Sequence, residues 1–375
     1  MNSKLTKFAS NKNISIVILV LLLLIPTFII PNDPMHNSYD ELAINILYRA
    51  IFVLIAGIIL FTMLIIRRKE LIFDKIDITF LIFYLLCWIS TIFSISPLTS
   101  ILGSGARYDG MLALSCYLLI YYCAKNFFVY QKWFTTILFI VITIPCSLVV
   151  LEYFNIPAIH YLFGLPFNPA SPSSLLINAN IFGSFITLYL PIIVCAYLFT
   201  KKKSYFVFSL IAFASMVCCL TRSAWLAFAV SSLIVFIYLI YKKDKEFWRR
   251  AILIFVSFVT VFVLIFTLKG SALHHKVNTA VKETKTIATN ATVTDDMGSG
   301  RILIWKMAAK GIIDHPLLGY GPDCFGRGII AEQYDTIYKY YLKYKGVTTK
   351  AHNEYLHTAV TTGIPSLIAY LLGIS

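Results

Sequence analysis

Ten long apolar segments recur along this chain and decide what it can fold into. They lie at residues 14–31, 43–66, 77–95, 111–129, 133–151, 175–199, 204–221, 223–241, 251–268 and 357–374. A helix needs about 20 apolar residues to cross the ~30 Å hydrocarbon layer of a bilayer, and each segment is close to that length. The composition agrees, because 59% of the residues are hydrophobic and only 13% are charged. The sequence therefore predicts an all-α, polytopic helical membrane protein with about 10 transmembrane helices.

The longest hydrophilic stretch separates the last apolar segment from the other nine. We predict a nine-helix transmembrane region at 1–268, an extracytoplasmic loop with amphipathic helices at 269–356, and a last transmembrane helix at 357–375. Because the last segment ends at Ser375 without a basic flank, we expect the natural protein to continue beyond it.

Two parts of the loop differ in character. Residues 277–294 are polar and rich in threonine, without apolar periodicity, so we expect them to be mobile. Residues 301–313 predict an amphipathic helix whose apolar face carries Ile302, Trp305 and Ala309. Such a helix, and a second Tyr-rich one at 332–344, would suit the membrane interface.

Lysine and arginine follow the apolar segments in a regular order. The N-terminus and every second loop after it are basic, at residues 4–12, 67–75, 125–132, 201–203 and 242–250. Since cytoplasmic loops carry the excess of these residues, the N-terminus is predicted to be cytoplasmic and the long loop to lie outside the plasma (inner) membrane. The net charge of +14 thus follows the membrane topology, and membrane lipids rather than nucleic acid are the expected partners.

Three arginines lie on the side that should be poor in them. Arg49 lies near the outer end of its apolar segment, where snorkelling explains it. Arg107, in the glycine-rich segment 103–110, either pairs with Asp109 in an interfacial loop or binds an anionic ligand. Arg222 stands where two apolar segments meet, with no acidic residue close by in the sequence. An arginine at the membrane edge is costly and marks a functional site by default.

Two asparagines open the sixth apolar segment. Asn178 and Asn180 precede a long apolar run, and an asparagine at the start of a helix commonly caps it. Either side chain is equally suited to binding sugar hydroxyls. The sequence leaves both interpretations open.

The sequence lacks the motifs of several kinds of nucleotide- and metal-dependent proteins. There is no Gly-x-x-x-x-Gly-Lys-Ser/Thr motif for ATP, no His-Glu-x-x-His or Cys/His cluster for zinc, and no Asp-x-Asp in an outer loop. The apolar segments contain almost no carboxylates, whereas ion-coupled transporters usually bury some. We therefore expect an activity without metal or cofactor.

One histidine remains beside the start of the last apolar segment. His352 lies in Ala351-His352-Asn353-Glu354-Tyr355-Leu356, and histidine is the usual proton acceptor near neutral pH. The planar guanidinium of arginine forms bidentate hydrogen bonds with diphosphate oxygens. Together they suit displacement of a polyprenyl diphosphate by a hydroxyl group, with the histidine taking the proton and the arginines stabilising the leaving group.

The motifs in their order resemble those of the O-antigen ligase and Wzy polymerase superfamily. They are Gly105-Ala106-Arg107-Tyr108-Asp109-Gly110, Thr221-Arg222-Ser223-Ala224, Ser299-Gly300-Arg301 with Trp305, Pro316-Leu317-Leu318-Gly319-Tyr320-Gly321, the His352 motif, and Thr362-Gly363-Ile364-Pro365. The resemblance implies glycan transfer from undecaprenyl diphosphate to a glycan, lipid or protein acceptor. It makes His352 the base and Arg222 an essential arginine.

The resemblance also implies which residues bind substrate. Arg107 and Arg301 match further positive positions near the diphosphate, and Asn180, Asn353 and Tyr355 are our remaining substrate-binding candidates. Family members usually have about twelve transmembrane helices, so ten is a departure. The competing hypotheses are a flippase or exporter of lipid-linked glycans, an O-oligosaccharyltransferase acting on protein, and a non-enzymatic membrane scaffold.

Overall fold

The computed structural model describes residues 7–27, 38–105, 107–157, 167–176, 178–242, 244–288, 295, 298 and 300–375. Within these ranges the regular structure is helical throughout, without a strand. The helices are α1 (Asn11–Thr27), α2 (Ser38–Ile66), α3 (Lys75–Ile92), α4 (Pro97–Leu102), α5 (Met111–Phe127), α6 (Lys132–Tyr153), α7 (Ala179–Thr200), α8 (Lys203–Cys218), α9 (Arg222–Lys242), α10 (Lys245–Lys269), α11 (Ser271–Ala288), α12 (Arg301–Asp314), α13 (Phe325–Glu332), α14 (Tyr334–Tyr344), α15 (Glu354–Thr362) and α16 (Ile364–Ile374).

The apolar helices identify an integral membrane protein. Among the described residues, 6 helices are long and apolar enough to cross a membrane, namely α3, α6, α7, α9, α10 and the Asn45–Ile66 part of α2. The apolar helices α1, α5, α8 and α16 have 10–17 residues. Each of the ten predicted segments overlaps one of these helices. The all-helical prediction is confirmed for the described chain, whereas a count of about ten transmembrane helices is not.

The chain forms two compact units. The first contains residues 1–18, 46–129 and 286–375, and the second contains residues 19–45 and 130–285. Three of the four unit boundaries fall inside α1, α2 and α11, and the fourth falls between α5 and α6. The predicted regions 1–268, 269–356 and 357–375 concern the membrane and its outer side, and they stay predictions.

The first unit holds its helices together through buried polar contacts as well as apolar ones. Asp74 caps the start of α3 in a capping box with Asp77, and Lys125 of α5 forms ion pairs with both carboxylates. A compact core contains Ile304, Met307, Ala308, Tyr320, Phe325, Ile329 and Val360. This core joins α12, α13 and α15 beneath the segment that precedes His352.

The segment 316–322 packs closely against α15 and against α3, whose Ser90 hydroxyl donates to the Leu318 carbonyl at 2.6 Å. The N–H groups of Tyr320 and Gly321 donate to the carbonyls of Val360 and Thr361, at 3.0 and 2.7 Å. The hydroxyl of Ser94 donates to the Tyr320 carbonyl at 3.0 Å. Gly321 has φ +103°, and a Cβ there would lie 2.0 Å from the Ser94 Oγ. Only glycine satisfies both the backbone conformation and the space.

The second unit is built on α6–α10 around one large apolar core. Phe139, Phe182, Leu190, Ile193 and Phe258 are among its buried side chains. At one end of α6, the Glu152 carboxylate accepts backbone N–H groups from Asn168, Ser173 and Ser174 at 3.1, 2.9 and 2.8 Å. This carboxylate orders residues 167–176, the segment that precedes α7.

Two predictions about the loop differ from the structure. Up to Ala288, the stretch expected to be mobile is helical, as part of α11; its remaining residues, 289–294, lie outside the described residues. Its start is anchored by Leu273, which is buried in the second unit's core. The helix at 301–313 is confirmed as α12, but its buried face is Ile304, Met307, Ala308 and Gly311 rather than Ile302, Trp305 and Ala309. That face packs on protein, in the first unit's core.

The last apolar segment is broken into two helices. Gly363 ends α15 and precedes α16, with φ +87° and a virtual Cβ only 2.0 Å from the Leu317 carbonyl oxygen. The N–H of Ile364 donates to the Pro316 carbonyl at 2.8 Å. A continuous helix over 357–374 was therefore wrong, because close backbone contact with residues 316–317 requires a turn that only glycine adopts readily.

Candidate functional site

The polar loop at 103–110 is attached to Asp323 in the first unit. The Ser104 N–H and hydroxyl donate to Oδ2 of Asp323, at 2.6 and 2.9 Å. Asp323 is buried and follows Pro322, with φ +53°. Its Oδ1 has no hydrogen-bond partner within the described part of the chain. The loop thus rests on a carboxylate that retains one unused acceptor atom.

Two contacts join the same loop to the segment before His352. Arg107 Nε donates to the Thr349 hydroxyl at 3.0 Å. Lys350 Nζ forms an ion pair with Asp109 Oδ2 at 2.6 Å. The expected alternative for Arg107, an ion pair with Asp109, is therefore not what the structure shows, because Lys350 occupies that carboxylate.

The segment 348–353 is held in a fixed conformation. The Thr348 hydroxyl donates to the Lys350 carbonyl at 2.7 Å, and Trp305 Nε1 donates to the Ala351 carbonyl at 3.0 Å. Asn353 is the N-cap of α15, and its side chain accepts the Leu356 N–H at 3.2 Å. Between these anchors, His352 adopts φ +52°. A non-glycine residue in this conformation is strained, which is common at functional sites.

Three cations influence the His352 imidazole. His352 is exposed at the surface, yet its pKa is lowered, first by partial burial of the ring and then by the charges of Arg301, Arg107 and Lys350. Each of these charges disfavours the imidazolium form. The imidazole is therefore neutral at lower pH than an ordinary histidine, as a proton acceptor must be before it acts.

Opposing effects act on the pKa of the Arg107 guanidinium. Partial burial lowers its pKa, while the carboxylates of Asp323 and Asp109 favour its charged form. Since an arginine keeps its charge in proteins, this group is a permanent cation beside the histidine.

His357, in α15, belongs to the same electrostatic group, together with Lys350, Asp109 and Arg107. Its Nδ1 is buried without a hydrogen-bond partner among the described residues.

The structure thus brings together several predicted site residues. Arg301 is the first residue of α12 and is half-buried. Tyr355 lies in the first turn of α15, with 52% of its surface exposed. Asn353 is committed to capping through its carbonyl oxygen, and its amide group remains for other contacts. The roles of these residues in binding or catalysis stay predictions.

Two other candidates lie in the second unit. Arg222 begins α9, and the neighbouring Thr221 hydroxyl donates to the Ala179 carbonyl at the start of α7, at 2.9 Å. Asn178 is the N-cap of α7, because its side chain accepts the N–H groups of Asn180 and Ile181 at 2.8 and 3.4 Å. Asn180 is exposed beside it. Capping therefore accounts for Asn178, and sugar binding stays a prediction for Asn180.

Sequence reasoning missed three members of the site. Lys350, Thr349 and Asp323 contact the 103–110 loop from more than two hundred residues away. Lys350 had a local signal, since it stands two residues before His352 on the predicted outer side. Asp323 had none, because its role follows from the tertiary packing of the turn at Gly321.

Comparison with known proteins found a family model that matches part of the chain. Residues 207–371 match the family model described as O-antigen ligase. This region is similar to the O-antigen ligase family. The O-antigen ligase region contains Arg222, Arg301, His352, Asn353 and Tyr355, whereas Arg107 and Asn180 precede it. No curated protein matches the chain, and no solved structure matches it.

Proposed function

We propose that this protein is a glycosyltransferase of the plasma (inner) membrane. It moves a glycan from undecaprenyl diphosphate to a hydroxyl acceptor on the extracytoplasmic side, as an O-antigen ligase or a polysaccharide polymerase of the cell envelope. The family match supports glycosyl transfer. The observation that carries the proposal is the placement of cations next to the His352 segment. Arg107 contacts Thr349 at 3.0 Å, Lys350 pairs with Asp109 at 2.6 Å, and both act with Arg301 on the His352 imidazole.

The proposed reaction is a single inverting displacement. Neutral His352 takes the proton of the acceptor hydroxyl while its oxygen attacks the anomeric carbon. The bond from that carbon to the diphosphate oxygen breaks, and the lipid diphosphate leaves with the bonding electrons. The three cations stabilise the charge that develops on the leaving group. The resemblance also makes Arg222 essential, through a bidentate contact that lysine cannot make. In this proposal the cations do what a metal ion does in other transferases, so none is required.

Strain and fixed geometry at His352 support its role as the base. The bond from Trp305 and the Asn353 cap fix the backbone on both sides of it. His357 is the weaker candidate for the base, because its Nδ1 is buried. A base must reach the acceptor hydroxyl within about 3 Å, directly or through one water.

The test uses the full-length protein in proteoliposomes with a lipid-diphosphate oligosaccharide and a hydroxyl acceptor. The measured quantities are new glycosidic product and free lipid diphosphate. His352→Ala should abolish both while the protein still inserts into membranes, and Arg222→Lys should lose most activity. His275→Ala is the control, since His275 is an exposed histidine on α11, and it should act like the wild type.

Other outcomes would identify a different function. Normal turnover by His352→Ala would show that the histidine is not the base. Loss of activity in EDTA that added metal restores would contradict the metal-independent mechanism. Movement of the donor across the bilayer without product would indicate a flippase, and product formed only on a protein acceptor would indicate an O-oligosaccharyltransferase.

A further inference from the structure

The second unit contains a large apolar cavity that the proposed reaction does not use. Its volume is about 660 Å³, and its lining includes Leu198, Phe213, Phe236, Trp248 and Phe258. This volume lies in the range of sites that bury small-molecule ligands. Its lining is almost entirely apolar, so its occupant must be a hydrocarbon rather than a sugar or a diphosphate.

The cavity extends from the middle of its helices toward one end. It is lined by the second half of α7, the middle of α9, residues 248–262 of α10 and Phe213 of α8. This is the end where α7 and α9 finish and where α8 and α10 begin. Arg222 and Asn180, the candidate site residues of this unit, stand at the opposite ends of α9 and α7. Neither Arg222 nor Asn180 lines the cavity.

The same end of the unit carries a dense group of cations, which we call the basic rim. It consists of Lys201, Lys202, Lys203, Lys242, Lys245, Arg249 and Arg250. Most of these side chains are exposed, and no ion pair involves any of them in the described chain. The acidic residues nearby in sequence are Asp244, which caps α10, and Glu246. The rim thus keeps a large positive charge next to the bilayer.

A direct contact joins the rim to the cavity. Arg250 is buried, its Nε donates to the Glu246 carbonyl at 3.0 Å, and its guanidinium also donates to the carbonyl of Leu198. Leu198 itself lines the cavity. Lys242 lies over the ring of Phe247, with Nζ 4.1 Å from the centroid, so its stem and charge stay at the same end. Hydrocarbon and anion sites are therefore adjacent.

We propose that the cavity binds an acyl chain of an anionic phospholipid whose phosphate contacts the basic rim. Basic clusters at the ends of transmembrane helices recognise anionic headgroups, and the lining offers the chain a dry apolar surface. By the predicted topology this end is cytoplasmic, so the lipid belongs to the inner leaflet. It is a bound lipid of the folded protein and is distinct from the glycan donor.

The test uses tryptophan fluorescence of the full-length protein in phosphatidylcholine nanodiscs. Bromine atoms on acyl chains quench nearby tryptophans, and Trp248 lines the cavity. Phosphatidylglycerol with brominated chains should quench at a low mole fraction at which brominated phosphatidylcholine does not. Trp248→Phe should remove this selective quenching. Trp133→Phe is the matched control, since Trp133 begins α6 outside the cavity lining, and it should retain the effect.

Two further variants test the two halves of the site separately, with native mass spectrometry counting retained phosphatidylglycerol. Replacing Lys201, Lys202 and Lys203 by glutamine should weaken retention by about fivefold for each charge removed, whereas Lys75→Gln in the first unit should not. Ser232→Phe should reduce retention by filling the cavity. Equal quenching by the two brominated lipids, or quenching that survives Trp248→Phe, would overturn the proposal. Neither result depends on glycan transfer.

Discussion

Replacement of Gly321 by alanine should strongly destabilise the first unit. The new Cβ would lie 2.0 Å from Ser94 Oγ and 2.5 Å from Ser94 Cβ, so rotating the serine side chain does not relieve the overlap. The Ser94 hydroxyl is also hydrogen-bonded to Ser100 Oγ at 2.7 Å and to the Tyr320 carbonyl. Overpacking costs about 1–3 kcal/mol, and the φ of +103° adds about 1–3 kcal/mol of strain. We expect a loss of about 2–6 kcal/mol in the free energy of unfolding.

The assay is equilibrium unfolding in detergent micelles, followed by tryptophan fluorescence. Gly105→Ala is the matched control, because a Cβ at Gly105 meets nothing within 4 Å, and its free energy of unfolding should stay within about 0.5 kcal/mol of the wild type. Since Asp323 follows this turn and holds Ser104, Gly321→Ala should also lower glycan transfer. If the two alanine variants proved equally stable, the packing described for residues 316–322 would be wrong.

Three further predictions concern charge and capping. Arg301→Gln should raise the pKa of His352, because among the neighbouring charges Arg301 lowers that pKa most. The neutral base is then lost at a higher pH, so the acid limb of a kcat/KM profile should move to higher pH. Glu152→Ala leaves three backbone N–H groups without their acceptor, and should cost about 3 kcal/mol or more in an unfolding titration. Asn178→Ala should cost about 1 kcal/mol as a lost N-cap, whereas Asn180→Ala should leave stability unchanged and lower activity.

A control variant and two opposing outcomes test the predictions for Arg301 and Asn180. Lys310→Gln removes an exposed cation from α12 that does not influence His352, so its pH profile should match the wild type. An acid limb that stays in place in Arg301→Gln would show that this guanidinium does not act on the base. Full activity of Asn180→Ala would remove Asn180 from the substrate site.

The apolar segments were predictable because a bilayer requires helices of a set length. Each predicted segment overlaps a helix in the structure, and the position of Arg107 and Arg301 beside His352 agrees with the motif order. The face of α12 was not predictable, since two apolar stripes exist on that helix and only the tertiary core selects Ile304 and Met307. The break at Gly363 depends on a neighbouring backbone that local sequence does not reveal.

The candidate site was likewise predictable from the sequence only in part. Chemistry pointed to His352 and the arginines, because few side chains accept a proton or neutralise a diphosphate. Lys350 and Asp323 act through contacts across the sequence, so their roles needed coordinates. The helix α11 was missed because its polar sequence has no apolar stripe, although its alanines and lysines favour helix and Leu273 anchors its start.

The ion pair between Asp109 and Lys350 has a consequence for the order in which the protein is made. Its two residues are 241 positions apart, and a ribosome adds about 5–20 residues per second. Asp109 therefore lacks Lys350, its ion-pair partner, for roughly 12–48 s after it has been synthesised. Until residue 323 is made the nascent loop lacks both partners, and until residue 350 it lacks the lysine. These contacts are therefore completed only as translation nears residue 350.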